Sequence, residues 1–592
     1  MQSAETVLGV LRERGRHGLP CEELYRQLFN PQLYLLAYGR IYANNGAMTP
    51  GVTQETADGM SLEKIGVIID AMRHERYRFH PVRRIHIPKP KGNTTRPLGL
   101  PTWSDKLVGE VVRLLLEAYY EPRFSDRSHG FRPGRGCHTA LREVANTWTG
   151  TTWFIEADIA DCFGSFDHEI MIEVLSEKIH DERFLRLMRN MLTAGYLEDW
   201  TWNATLSGVP QGGCVSPILS NIYLHKVDEY VETVLIPQYT RGTGRRASPA
   251  YSKIKGDALQ AHRRGDRATA RALRQRARSL PSKDLRDPGY RRLRYSRYAD
   301  DQLLGFTGPK AEAERIKDQL TTFLRDELGL ELSGTKTLIT HARTRAARFL
   351  GYEIIVQQAD SRISHGRRSV NGLIALRVPL DVIKAKCVPY MRRGKPERHT
   401  ARQNLDDYDI VKTFGAEYRG IVQYYLLAVD VGRLSRLRWV AETSMLKTLA
   451  AKHKSTVSKM AARHRATIDT PHGKRVCFQA SIERIGKQPL VARFGGIPLA
   501  RNKVAVLTDR VPTQAPHPRK ELVARLLTRR CELCGQPDKV VVHQIRALAS
   551  LGEPGPGQPE WASLMARKRR KTLIVCRPCH EVIHGHANAD TA

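Results

Sequence analysis

Two adjacent carboxylates, Asp300 and Asp301, stand in the run RYSRYADDQLLGF among aromatic and apolar residues. Aspartate is depleted in strands and neighbouring carboxylates repel each other, so the pair needs a reason. A solvated hairpin turn would supply one, since turns favour Asp. A third carboxylate supplies a chemical one. Upstream, WFIEADIADCFGSFD carries an apolar run that ends at Asp158, as a strand delivering a carboxylate at its end would. Three gathered carboxylates repel one another when empty, and divalent cations offset that repulsion. Two such cations about 3.5–4 Å apart activate a primer 3′-hydroxyl and stabilise departing pyrophosphate, which is nucleotidyl transfer. Successive strand residues point to opposite faces, so Asp300 and Asp301 reach one site only if YADD occupies a hairpin tip.

A second chemistry lies near the C-terminus. RRCELCG and VCRPCHEVIHG supply Cys531, Cys534, Cys576 and Cys579 in two C-x-x-C pairs. Four thiolates at that spacing suit tetrahedral structural zinc; redox disulfides are the competing reading. His543 lies between the pairs in VVHQIRAL, and His580 and His584 are spaced to share one helix face. The other cysteines (Cys21, Cys137, Cys162, Cys214, Cys387, Cys477) are scattered singly and read as small buried residues of a reducing compartment.

The elements that must position these groups are legible in part. Residues 1 to about 80 read as helical. SDKLVGEVVRLLLEAYYEP fits a helix, with Ser104 to cap it and Pro122 to end it. Strands are expected at TTWFIEADI, LRYSRYADDQLLGF and ARFLGYEIIV, and a helix after PQGG with Ser216 at its N-cap and Pro217 in first position. From 241 to 297 the chain carries 18 Lys or Arg and 4 Asp. ALQAHRRGDRATARALRQRARSL reads there as one polar basic helix in a surface insertion, either a solvated face or a phosphate contact. Residues 380–500 look mainly helical, with Tyr418, Tyr424, Tyr425 and Trp439 among basic residues, and 500–525 reads as a linker.

Bulk properties bound the partners. The 592-residue chain is too long for one core. No run of about 18 apolar residues and no secretory signal is apparent, so a cytoplasmic protein without a membrane is expected. Lys and Arg number 95 against 61 acidic residues, a net charge of +34. Such a field attracts polyanions, and RNA or DNA is the expected partner.

The ordered blocks RRIHIPKPKGNTTRPLGLP, FSDRSHGFRPGRGCHTAL, FIEADIADCFGSFD, LSGVPQGGCVSPILSNIYL, YSRYADDQLLGF, LGLELSGTKT and RFLGYEI resemble the successive reverse-transcriptase motifs of group II intron-encoded proteins. The resemblance implies a multidomain α+β protein. It would have right-hand reverse-transcriptase fingers and palm, an α-helical thumb/maturase domain X, and a small zinc-bound ββα-metal HNH domain. The implied domains are an N-terminal extension (1–80), fingers and palm (81–360, insertion about 241–290), domain X (375–500), a basic DNA-binding linker (501–525) and the HNH domain (526–592).

Residue by residue, the resemblance implies Asp158, Asp300 and Asp301 as catalytic Mg²⁺ ligands, with the Ile159 carbonyl as a further ligand. Phe163 matches the gate that would clash with a ribose 2′-hydroxyl; an ordinary core phenylalanine is the alternative. Gln211 matches a residue at the nucleotide sugar, and Lys89 and Arg96 match basic residues near the triphosphate. His543, His580 and His584 would bind the HNH divalent cation. Gln544 departs from the family, which often has a His there as general base, and glutamine cannot take that proton. Lys571 or Thr572 stands near the position where the motif has Asn. The terminal domain is therefore either a DNA-nicking enzyme or a structural, DNA-binding remnant.

The function implied is an RNA-directed DNA polymerase and RNA-splicing maturase of a mobile group II intron, with a C-terminal nicking domain for target-primed reverse transcription. Its partners would be intron RNA, target DNA, RNA–DNA hybrid and dNTPs, in the bacterial cytoplasm or nucleoid. The rivals are a splicing-only maturase and a reverse transcriptase of a defence or diversity-generating element. Retention of all three aspartates opposes the first; the zinc and HNH pattern and domain X oppose the second.

Overall fold

The computed structural model describes the chain apart from residues 1, 45, 89–94, 199–200, 206, 209–212, 360–361, 365–366, 472, 485–486, 508–520, 552–556 and 590–592. Lys89 and Gln211 lie outside the described residues.

The palm is an antiparallel sheet in the order Arg292–Tyr298, Asp301–Thr307, Trp153–Asp158, Leu338–His341. Its strands alternate between two cores, as a two-residue period requires. Ile155, Ala157, Leu304 and Phe306 face the core built on the N-terminal helices. Phe154 and Leu303 face the core shared with residues 342–505. A sheet covered on both faces is a stiff platform, and its strand ends carry the aspartates.

Helix Trp103–Tyr120 backs the first core. Its cap is Thr102, not Ser104: the Thr102 side chain accepts from the Asp105 N–H at 3.2 Å. Ser104 lies one residue inside, where its hydroxyl donates to Glu55 instead. Ser216 likewise begins its helix, Ser216–Tyr230, rather than capping it; Val215 takes the cap position and Pro217 lies in the first turn. The fingers sheet runs Thr95–Leu100, Val82–Pro88, Tyr196–Glu198, Thr201–Asn203.

The basic insertion forms two helices, Pro249–Arg263 and Arg267–Ser279, rather than one. Gly265 breaks the run at φ 82°, where a left-handed residue is needed, and Asp266 caps the second helix by accepting from the Thr269 N–H at 2.9 Å. The excursion closes on itself: Arg241 and Arg291 exchange two backbone hydrogen bonds of 3.0 Å at its base.

Residues 380–500 hold the expected helices, including Asp407–Tyr424 and Ser435–Lys452, and also an antiparallel sheet, Arg465–Thr470, Gly473–Arg484, Lys487–Gly495. The missed signal is alternation, since Ala492 and Phe494 bury one face of the last strand. Tyr418 and Tyr425 are core residues, whereas Trp439 is 59% exposed. Cys21, Cys162, Cys387 and Cys477 are buried, and Cys137 and Cys214 half-buried. Among the described residues no helix is long and apolar enough to cross a membrane.

The C-terminal hairpin, Val540–Gln544 and Thr572–Cys576, does not stand apart. The short strand Met60–Ser61 pairs with its free edge, making a three-stranded sheet from both ends of the chain. Val540, Val542, Ile574 and helix residues Leu522, Val523 and Leu526 join the N-terminal core. The opposite face (Val541, Leu573, Val575) packs on Met565 and Ile583 in a small core of its own.

Candidate catalytic and metal centres

Asp158 and Asp301 are direct cross-strand partners, each at the end of its strand. Tyr298 pairs with Asp301, so Ala299 and Asp300 form the tip of the hairpin. Ala299 sits at φ 54°, the left-handed turn that breaks strand alternation and lets both aspartates approach Asp158. Its backbone is held tightly; a Cβ on Gly130 would come within 2.4 Å of the Ala299 nitrogen. Ile159 follows Asp158 as a buried residue bridged to Leu332.

The electrostatics of this cluster are those of crowded carboxylates. Burial pushes the Asp301 carboxyl up to about 7, and the charges of Asp300 and Asp158 add to the rise. Burial likewise raises Asp300, and the Asp158 charge adds to it; the nearby cations Lys336 and Arg96 pull it back. Arg96, on strand Thr95–Leu100, is thus near enough for its charge to act on Asp300. Hard oxygen donors at this density suit Mg²⁺.

Two residues in contact with this cluster were not singled out from sequence. Lys336 Nζ lies 2.6 Å from Asp158 Oδ2 and supplies a positive charge beside the trio. Its signal was present, since it belongs to the block LGLELSGTKT. Arg297 is fully buried and donates from Nη1 to the Ala299 carbonyl at 3.0 Å, bracing the turn from below. Phe163 lies in the short helix Cys162–Ser165, half-buried, with its ring edge-on to Phe166 at 6.2 Å.

At the C-terminus, Cys531, Cys534, Cys576 and Cys579 converge, with all four sulfurs within 4.8 Å of one another. Gly535 at φ 75° closes the first knuckle, donating to the Cys531 carbonyl at 3.1 Å. Burial opposes the Cys531 thiolate, but the N–H groups of Cys534, Cys576 and Leu533 outweigh it and draw the thiol down to about 7. Burial and the neighbouring sulfurs push the Cys576 and Cys579 thiols up instead, so four thiolates gathered this closely need a cation such as zinc to hold them together.

A second converging set contains His543, His580 and His584, as the resemblance implied, and a fourth member that no motif announced: Asp58. Asp58 comes from the N-terminal region and nothing in its local sequence, TADGM, marks it. Gln544 faces away from the histidines. Its side-chain Nε2 donates to the Tyr42 carbonyl at 2.8 Å, and its backbone N–H donates to Asp58 Oδ1 at 2.7 Å.

Comparison with known proteins finds three family models in chain order: reverse transcriptase (RNA-dependent DNA polymerase) over residues 87–243, type II intron maturase over 378–480, and AI2M/AI1M-like HNH endonuclease over 531–580. The group II intron-encoded protein LtrA of Lactococcus lactis subsp. cremoris is 36% identical over 95% of this chain and 96% of its own length. A 91 kDa protein in the cob intron of Schizosaccharomyces pombe is 33% identical over 95% of this chain and 70% of its own length. A putative COX1/OXI3 intron 1 protein of Saccharomyces cerevisiae is 34% identical over 73% of this chain and 53% of its own.

Proposed function

The chain belongs to the group II intron-encoded proteins and carries that family's reverse-transcriptase, maturase and HNH endonuclease domains; from that premise we propose that it binds its intron RNA, assists splicing and copies the RNA into DNA at a target site nicked by its last domain. The reading places it in the bacterial cytoplasm or nucleoid. The observation that carries it is the register of Asp158 against Asp301 with Asp300 at the adjoining turn.

Asp158, Asp300, Asp301 and the Ile159 carbonyl would hold two Mg²⁺ ions, which when bound activate the primer hydroxyl and neutralise charge on the leaving group. Arg96 offers a guanidinium fork to the triphosphate. Phe163 excludes a 2′-hydroxyl by bulk, and Lys336 keeps a positive charge beside Asp158. Lys89 and Gln211 complete the nucleotide contacts in this reading. The four cysteines would hold structural zinc, and the histidine cluster a cation that serves DNA cleavage.

The test is extension of a DNA primer on an RNA template with Mg²⁺. Asp300→Ala should lose nearly all extension, since a metal site works as a unit, while RNA affinity stays at the wild-type level. Extension by that variant at near the wild-type rate would overturn the assignment.

A further inference from the structure

The C-terminal histidine cluster is completed from the opposite end of the chain. His584 Nε2 lies 2.9 Å from Asp58 Oδ2, His580 Nε2 3.3 Å from both carboxylate oxygens, and His543 Nδ1 3.3 Å from Oδ1. The carboxylate is delivered by the backbone. The Gly59 N–H donates to the Val542 carbonyl at 2.9 Å, Met60 and Ser61 then pair with Val542 and Val541, and Gly59 makes the bend at φ 74°. The Asp58 side chain is only 14% exposed.

A second observation points to a cation among these groups. His543 is 4% exposed, and while its Nδ1 meets the Asp58 carboxylate at 3.3 Å, its Nε2 is buried without a hydrogen-bond partner, an arrangement that costs free energy unless a ligand takes that lone pair. His580 Nε2 and His584 Nε2 stand 3.3 Å apart, so the two imidazoles either share one proton or turn both lone pairs toward one cation. Three imidazole nitrogens and one carboxylate oxygen, all within 4.8 Å of one another, form the donor set of a divalent cation of the zinc, cobalt or manganese class.

A third observation concerns what the N-terminal region covers. Glu63 pairs with Arg577 and, at 2.7 Å, with Lys539; Arg546 donates to the Met48 carbonyl at 3.1 Å. Those three cations are of the kind that would meet DNA phosphates, and acidic or carbonyl oxygens of the N-terminal region occupy them as phosphate oxygens would.

We propose that Asp58 is the fourth protein ligand of the C-terminal cation centre and that it holds the centre closed. Three protein ligands leave a position for water or a scissile phosphate, whereas four fill a tetrahedral shell. The inference rests on reading the module as a DNA-nicking domain: nicking then requires the Asp58 segment to leave the hairpin edge, which frees one coordination position and the Arg577, Lys539 and Arg546 side chains together. The polymerase body thereby restrains its own nuclease until DNA displaces the N-terminal strand.

The test titrates Co²⁺ into full-length protein already loaded with zinc at the four cysteines, and follows the visible absorption of four-coordinate cobalt. Loss of that signal in His580→Ala assigns it to this centre. Asp58→Asn, with Asp58→Ala as a second variant and circular dichroism to establish folding, should bind Co²⁺ at least about tenfold more weakly and with a fainter spectrum, as water replaces the carboxylate. The same variants should nick duplex target DNA faster than the wild type. Unchanged affinity and spectrum would overturn the ligand assignment, and weaker Co²⁺ binding with slower nicking would overturn the closed centre. A chain that nicks in neither form while Asp58→Asn still weakens Co²⁺ binding supports the ligand and overturns the nuclease reading instead.

Discussion

Arg297 grips Asp228 through a fork of two hydrogen bonds, Nε to Oδ1 at 2.8 Å and Nη2 to Oδ2 at 2.6 Å, with both side chains fully buried. The same guanidinium donates to Ser128 Oγ and to the Ala299 carbonyl, so one buried cation ties helix Ser216–Tyr230 to the turn that presents Asp300. Burial disfavours the Asp228 carboxylate, but the Arg297 charge and hydrogen bonds prevail and lower its carboxyl to about 2.

Asp228→Asn should therefore leave a buried, under-paired guanidinium and cost about 3–5 kcal/mol of stability. Primer extension should fall with it, because the turn loses its brace. The pH dependence has a definite sign. A carboxyl lowered on folding contributes stability above its unfolded value, near 3.8, and loses it as pH falls toward about 2. Denaturant unfolding from pH 7 to pH 4 should show the pair intact in the wild type, with its loss confined to the more acid limb. The variant should lack that limb; an equal acid loss in both would show that other carboxyls account for it.

Phe163 is half-buried rather than sealed in the core, as a side chain that meets a nucleotide must be. Phe163→Ala should lower the ratio of kcat/KM for dNTP over rNTP by at least about tenfold, through space opened for the 2′-hydroxyl. Steady-state incorporation of matched deoxy- and ribonucleotides measures it. An unchanged ratio in an active variant would return Phe163 to a packing role.

What the sequence made legible was local in the chain. Alternating apolar residues ending at Asp158, and the need for YADD to escape that alternation, match the palm strands and the left-handed Ala299. Two C-x-x-C pairs carry their own geometry. Pairings made across the fold had no such mark. Arg297 reads as one more arginine in a basic chain until its burial against Asp228 is seen, and nothing in TADGM marks Asp58. The sheet after Arg465 was hidden because its strands are mostly polar and lie on the protein surface, so their alternation is weak.

The basic insertion offers a clean deletion. Because Arg241 and Arg291 already pair at its base, residues 243–289 can be replaced by a short turn without stretching the palm. Arg245, Lys255, Arg274, Arg278, Lys283 and Arg343 line a cleft between its helices and the palm edge. If RNA phosphates enter that cleft, the slope of log K against log salt should shrink by roughly 0.7–0.9 for each phosphate that the deletion leaves unneutralised. Filter binding across a salt series reads the slope, and an unchanged slope in a folded deletion would mark the face as merely solvated.

Zinc should hold together a module that is only half independent. Its own core is small, so metal binding must supply much of its folding free energy. The opposite face of its hairpin, through Val540, Val542 and Ile574, seals the N-terminal core of the polymerase. Cys531→Ser should lose zinc, unfold the hairpin and end nicking. Primer extension should persist at about 25 °C but inactivate faster on warming, since apolar surface on the polymerase body is then exposed to water. His584→Ala is the control: it removes a cation donor of the histidine centre yet should leave the zinc at the four cysteines and thermal inactivation unchanged. Zinc release measured by a chelating dye, alongside extension half-lives at raised temperature, separates the two. Equal half-lives for Cys531→Ser and wild type would mean that the shared face adds nothing to the polymerase. An immediate loss of extension before any warming would mean that the polymerase cannot fold without its C-terminal partner.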